Sequence, residues 1–197
     1  ERMMRLRHDG EKSVEDAMMI PDTYPALVTV AKAAEGLTWV LAGSLAASCW
    51  MRSRATVVIE IRVPTQETRE KILGRLGPLP QGYEALIRSA EQLGLTPETV
   101  LIWHERARCD QVDETVVYVP QPGDLFLMLL SEIRVIEAPA AMSWACQLHL
   151  LHGPWSFEGV DLTRYQCQRL AEAAALIIHH AAEELERAHA DLTRFSA

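Results

Sequence analysis

One stretch, Val40 to Val63, constrains this chain more than any other. An apolar run ending at Val40 and Leu41 meets Gly43-Ser44, and an Ala-rich segment follows from Leu45 to Met51. Arg52 to Arg54 then turn the chain, and Ala55 to Val63 (ATVVIEIRV) is largely β-branched until Pro64 stops it. The pattern predicts strand, glycine turn, helix, turn, strand. Glycine at a strand-to-helix turn lets the backbone approach a ligand closely. The N–H groups at the helix start, with the Ser44 hydroxyl, then have the geometry to hold phosphate oxygens. Glu60, on the neighbouring strand, is placed where a hard cation would bridge carboxylate to phosphate.

The rest of the chain alternates in the same way. Ala26 to Glu35 has helical composition closed by Gly36, and Leu37 to Leu41 reads as a buried strand. Helical spacing returns over Gln66 to Leu76, a Gly/Pro-rich loop runs from Gly77 to Gly82, and a second helix is predicted over Tyr83 to Leu93. Thr99 to Trp103 and Thr115 to Val119 read as strands joined by a polar connection, Asp110 to Glu114. Asp124 is the expected N-cap of an apolar helix, Leu125 to Leu130. The fold class is therefore α/β (α+β): a small mixed sheet of Leu37–Leu41, Ala55–Val63, Thr99–Trp103 and Thr115–Val119, flanked by helices, with a helical C-terminal third. In domain terms, residues 1–24 form an arm or short helix, 25–137 the α/β core, and 138–197 a helical segment. In that last segment Ala174, Ile178, Ala181, Leu185, Ala188, Leu192 and Phe195 form a stripe at spacings of four and three. The stripe suits packing on the chain's own core, or a protein partner or homodimer seam.

Composition excludes several roles. With 49% hydrophobic residues and a net charge of -8, the chain is no disordered polymer. Its 19 basic residues stand against 27 acidic ones, so nucleic acid is disfavoured as a partner. The most membrane-like stretch, Gly36 to Met51, runs uncharged for fewer than the roughly 20 apolar residues a spanning helix needs and contains Gly36, Thr38, Gly43, Ser44 and Ser48, so no membrane role is expected. The opening residues carry no apolar signal core, and the four cysteines form no close pair. Reduced thiols and a cytoplasmic location are the expectation.

Other side-chain clusters fit bland roles. His104-Glu105 beside Arg106 and Arg108 suits an exposed charged turn. His149 and His152, and His179 and His180 with Glu183 and Glu184, have helical metal spacing but no third ligand. Neither Gly-x-Ser-x-Gly, a P-loop nor a dinucleotide-binding fingerprint occurs.

LAGSLAASCWMRSRATVVIEIRV resembles the core of the nucleotidyltransferase superfamily, in particular the minimal nucleotidyltransferases and those of type IV toxin–antitoxin pairs. Their pattern is a Gly-Gly or Gly-Ser turn, a helix, Arg-x-Thr, and Asp-x-Asp on the next strand. Gly43 and Ser44 match the turn, and Arg54 and Thr56 match Arg-x-Thr. A looser echo runs over Val116 to Leu130, with Leu129 where the family carries a Lys. The resemblance implies a nucleotidyltransferase-like core over 25–137, with Gly43, Ser44, Arg54 and Thr56 on nucleotide phosphates. It implies Glu60 as the catalytic and metal-binding acid, and Glu105 as the candidate third carboxylate. The paired acids fall on Val58 and Glu60, so the first acid is absent. Two cations ~3.5–4 Å apart need several carboxylates to offset their repulsion, whereas Glu60 alone suits at most weak Mg²⁺ binding. The leading expectation is a catalytically impaired nucleotide-binding or protein-interaction module. The alternatives are an active enzyme that transfers a nucleoside monophosphate from an NTP with Mg²⁺, and an unrelated cytoplasmic α/β domain.

Overall fold

The computed structural model describes residues 13–14, 23–51, 56–132 and positions 144, 145, 147, 148, 151, 152, 175, 178 and 179. Helix α1 (Thr23–Ala33) leads into strand β1 (Val40–Ala42), and helix α2 (Gly43–Ser48) starts directly from it. Strand β2 (Val58–Val63), helix α3 (Gln66–Arg75) and strand β3 (Glu84–Ser89) follow, then a 3-10 turn (Glu91–Leu93) and helix α4 (Pro97–Arg106). A hairpin of β4 (Arg108–Val112) and β5 (Thr115–Val119) precedes helix α5 (Pro122–Glu132).

A mixed sheet in the order β1-β2-β3 is the centre of the first compact unit, residues 1–125. β1 runs antiparallel to β2, and β3 runs parallel to it. Helix α3 supplies the crossover that a parallel pair requires. Alternation along β2 sorts its residues: Ile59, Ile61 and Val63 are fully buried on one face, while Val58, Glu60 and Arg62 share the other. α3 is fixed at its start by Thr65, whose hydroxyl accepts from the Thr68 N–H at 3.1 Å. The β4–β5 hairpin turns at Asp113, where φ is 50°. There the Asp113 carboxylate accepts a hydrogen bond from the Tyr24 hydroxyl. Arg108 grips Asp110 at 2.8 Å and lies over the Trp50 ring, whose indole N–H donates to the Pro120 carbonyl at 2.8 Å.

The second unit, residues 126–197, contains the C-terminal part of α5 and further helical positions; Ala145 and Leu148 are buried in it, and Leu151 and Ile178 are exposed. Of the seven-residue stripe toward the C-terminus only Ile178 lies among the described residues. His149 and His180 lie outside them as well. Among the described residues no helix is long and apolar enough to cross a membrane.

Four sequence expectations are corrected. Tyr83 to Leu93 is strand β3 plus a 3-10 turn, although Glu, Ala and Leu favour helix there. The open edge of β2 needs backbone partners, and that tertiary demand overrides a weak local propensity. Thr99 to Trp103 is helix α4: Pro97 opens it, and the buried Val100 and Trp103 stand three apart while Leu101 and Ile102 are exposed. Asp110 to Glu114 is β4 and its turn, paired residue for residue with β5. Asp124 is in the first turn of α5 and not at its cap, because the helix already begins at Pro122 and the Leu125 N–H bonds the Gln121 carbonyl at 2.8 Å.

Two stability effects follow. Thr65→Ala should cost about 1 kcal/mol, read as a lower urea midpoint with an unchanged slope. Burial pushes the Asp124 carboxyl from its ordinary 3.8 up to about 6, against a smaller opposing effect of Arg106 at 3.8 Å. The folded state thus holds this proton more tightly than the unfolded chain does. The contribution is complete below the unfolded pKa and is lost as pH rises through the interval up to about 6. Asp124→Asn should flatten stability against pH across that interval in urea melts.

Candidate functional site

The strand registers arrange the polar face of the sheet in rows. Val40, Arg62 and Arg88 form one row, and Ala42, Glu60 and Leu86 the next. Val58 and Glu84 form a third. β1 does not reach that third row, because Gly43 takes a φ of +63° and diverts the chain into α2. This left-handed residue is the glycine turn read from the sequence. Ser44, half-buried, occupies the next position, and its carbonyl accepts from the Ser48 hydroxyl at 2.8 Å.

Gly43 and Glu60 are in direct apposition. A Cβ at position 43 would fall within the Glu60 carboxyl group, with the Glu60 Cγ at 3.0 Å. The glycine therefore meets two demands, a left-handed backbone and a carboxylate lying over its Cα. Gly43 and Glu60 thus meet across the β1–β2 pair, with Ser44 the next residue in the chain.

The sequence reading did not single out Arg62. Its guanidinium is wholly buried, donates from Nη2 to Glu60 Oε2 at 3.1 Å, and donates from Nη1 to the Ile61 carbonyl at 3.1 Å. Burial lowers its pKa from the usual arginine value. The Glu60 carboxylate opposes that shift, and the neighbouring Arg88 adds to it. Glu60 has a side chain only 15% exposed, so the pair is largely shielded from solvent screening. An alternating Glu-x-Arg on a strand places opposite charges on one face, so this pair was legible from Glu60 and Arg62 alone.

The remaining candidates are distributed as follows. Thr56 is buried; its hydroxyl donates to the Val58 carbonyl at 3.0 Å, accepts from the Val58 N–H at 3.3 Å, and so closes the entry to β2. It lies four residues upstream of Glu60, before β2 begins. Arg54 lies outside the described residues. Glu105 is exposed on α4. Its neighbours go separate ways. His104 bonds the Trp39 carbonyl through Nδ1 at 2.8 Å and packs on Tyr118, Arg106 faces Asp124, and Arg108 binds Asp110. The strand beside β2 instead carries Glu84, level with Val58 and about 8 Å from Glu60 between Cα atoms by strand spacing and rise. The helical reading of Tyr83 to Leu93 concealed Glu84 and Arg88 from sequence analysis.

The donor set does not fit a paired-metal centre. Val58 is apolar, Glu60 is engaged by Arg62, and among the described residues no three His, Cys, Asp or Glu side chains gather where they could hold a metal ion.

Comparison with known proteins supports the fold. No family model matches the chain, and no curated protein matches it by sequence. Among solved structures it is similar to an antigenic nucleotidyltransferase-like protein from Paracoccidioides brasiliensis, with a TM-score of 0.55 and 12% identity. The match covers 87% of this chain and 91% of that one. The chain thus has a nucleotidyltransferase-like α/β fold.

The Gly43–Glu60 apposition makes a coupling prediction. Gly43→Ala should destabilise the protein by more than the ~1–2 kcal/mol of left-handed backbone strain alone, because the added methyl collides with the carboxyl group. In a Glu60→Ala background the added cost should fall back toward the backbone value. A double-mutant cycle in urea checks this, and purely additive losses would contradict the contact.

Proposed function

We propose that this chain is a nucleotidyltransferase-fold module that binds nucleotide phosphates without turning them over. The observation that carries this reading is the 3.1 Å contact between Arg62 and Glu60, the one acid left at the paired-acid positions. A guanidinium tethered two residues away on the same strand face competes with any divalent ion for that carboxylate. The position of the second acid is the apolar Val58. Loss of a charged partner from a phosphoryl-transfer site generally costs roughly 10²–10³-fold in rate or more. The Gly43-Ser44 turn, by contrast, is retained with its left-handed glycine.

Full-length protein incubated with each α-labelled NTP and Mg²⁺ or Mn²⁺ should transfer no label beyond the level of a Glu60→Ala control. Metal-dependent transfer that Glu60→Ala abolishes would overturn the proposal in favour of an active enzyme. Val58→Asp should create Mn²⁺ affinity that the wild type lacks, visible by electron paramagnetic resonance titration. Absence of any gain would separate positions 58 and 60 from the Asp-x-Asp motif they resemble.

A further inference from the structure

We propose that the outer edge of β3 is an interaction surface for a second copy of this chain, paired antiparallel about Leu86. The inference stands apart from the nucleotide reading and rests on the geometry of one strand.

β3 ends the sheet order β1-β2-β3, and among the described residues no strand lies beyond it. In a parallel pair, alternate residues turn their backbone groups toward the neighbouring strand. The Glu84 and Ala90 N–H groups donate to the Val57 and Val63 carbonyls at 2.9 and 3.0 Å, so the even positions face β2. Ala85, Ile87 and Ser89 therefore turn their N–H and C=O groups outward. Side chains hold two of these groups. Arg69 Nε donates to the Ile87 carbonyl at 2.9 Å, and Gln92 Oε1 accepts from the Ser89 N–H at 3.0 Å. The Ala85 N–H and C=O and the Ile87 N–H have no partner among the described residues. An open edge of this kind is a template for another strand.

The side chains select which strand. Glu84, Leu86 and Arg88 share one face of β3, and among the described residues no hydrogen bond or ion pair engages the side chains of Glu84 or Arg88. With Leu86 on a two-fold axis, Glu84 stands opposite the partner's Arg88, and Arg88 opposite the partner's Glu84. Both ion pairs occupy non-hydrogen-bonded sites, where facing side chains are closest. The same register sets Ala85 opposite the partner's Ile87, so the outward groups meet in four backbone hydrogen bonds. A one-residue shift turns outward groups toward inward ones and forms no ladder. A two-residue shift sets Glu84 opposite the partner's Leu86 or the partner's Ala90. A four-residue shift sets like charges against each other. Only the Leu86-centred register pairs opposite charges, and its symmetry closes the assembly as a dimer.

Arg69 is the latch on this edge. Its guanidinium holds the Ile87 carbonyl that the partner's Ala85 N–H would use, and Ile87 is nearly buried while the latch is closed. Pairing requires Arg69 to swing aside in both copies. So short a ladder falls below the ~1,200 Å² of stable interfaces, which makes the dimer weak and reversible.

The test is sedimentation velocity of the full chain over a range of concentrations. The wild type should show a reversible monomer–dimer equilibrium. Arg69→Ala should dimerise about tenfold more tightly or better, the scale of a charge-assisted hydrogen bond no longer lost on pairing. Glu84→Arg and Arg88→Glu should each be monomeric alone, because like charges then face each other. Mixed in equal amounts, the two variants should form a heterodimer, which also shows that both fold. The doubly exchanged Glu84→Arg/Arg88→Glu protein should dimerise as the wild type does. A wild type monomeric throughout, an Arg69→Ala protein no tighter than wild type, dimers that survive either single reversal, or a mixture that stays monomeric would each overturn the proposal.

Discussion

The polar face of the central sheet is organised around a buried positive charge. Arg62 has no access to water, and an arginine does not shed its proton to escape that burial. Its charge must be answered inside the protein, and Glu60 answers it at 3.1 Å. Removing one partner of such a pair typically costs about 3–5 kcal/mol, because the other is left charged and dry. Glu60 is therefore fixed in place by a structural demand before any ligand is considered. Its carboxyl group then lies across Gly43, so position 43 must lack a side chain. The glycine in turn bends β1 into α2 and leaves the Val58 row of the sheet open. Ion pair, glycine and strand end form a single dependent set.

The same dependence shows how this corner of the nucleotidyltransferase-like fold is held without any bound cation. A sheet held by a metal site would weaken once an acid was lost, since the remaining carboxylate would lack a counter-charge. Here the counter-charge is covalently attached, two residues from Glu60 on the same strand face. Its local concentration never falls, whatever the free divalent ion level. A tethered cation thus holds the geometry around Gly43 and Ser44 without needing any exchangeable ion.

Sequence legibility followed the range of the forces involved. The Gly43 turn, β2 and α3 are set by local chemistry, a β-branched run, a proline stop and a threonine cap, and each was readable. β3 was not, because Tyr83 to Leu93 contains good helix formers and becomes a strand only to satisfy the edge of β2. α4 was misread for the opposite reason: Thr-Val-Leu-Ile-Trp has strand composition, and only the 100/103 burial pattern behind Pro97 shows a helix. The site inherits the same limit. Gly43, Ser44 and Glu60 come from one continuous segment and were found together. Arg88 and Glu84 join them only through parallel pairing across a crossover, which no motif in a single segment encodes. Glu105 stands as the candidate third acid in the sequence because it follows Thr99 to Trp103, which reads as a later strand but is helix α4. With β3 in that place, the acid beside the Val58 position is Glu84.

That pairing also decides the character of the site. Had β3 been one residue out of register, Ile87 and Ser89 would face Glu60 and Arg62, and Arg88 would turn toward the buried side with Ile59 and Ile61. An unpaired guanidinium there would carry a desolvation cost large enough to oppose folding. The apolar face of β3, anchored by the fully buried Ser89 and the nearly buried Ile87, thus fixes the register for reasons of packing. The two arginines become neighbours as a consequence.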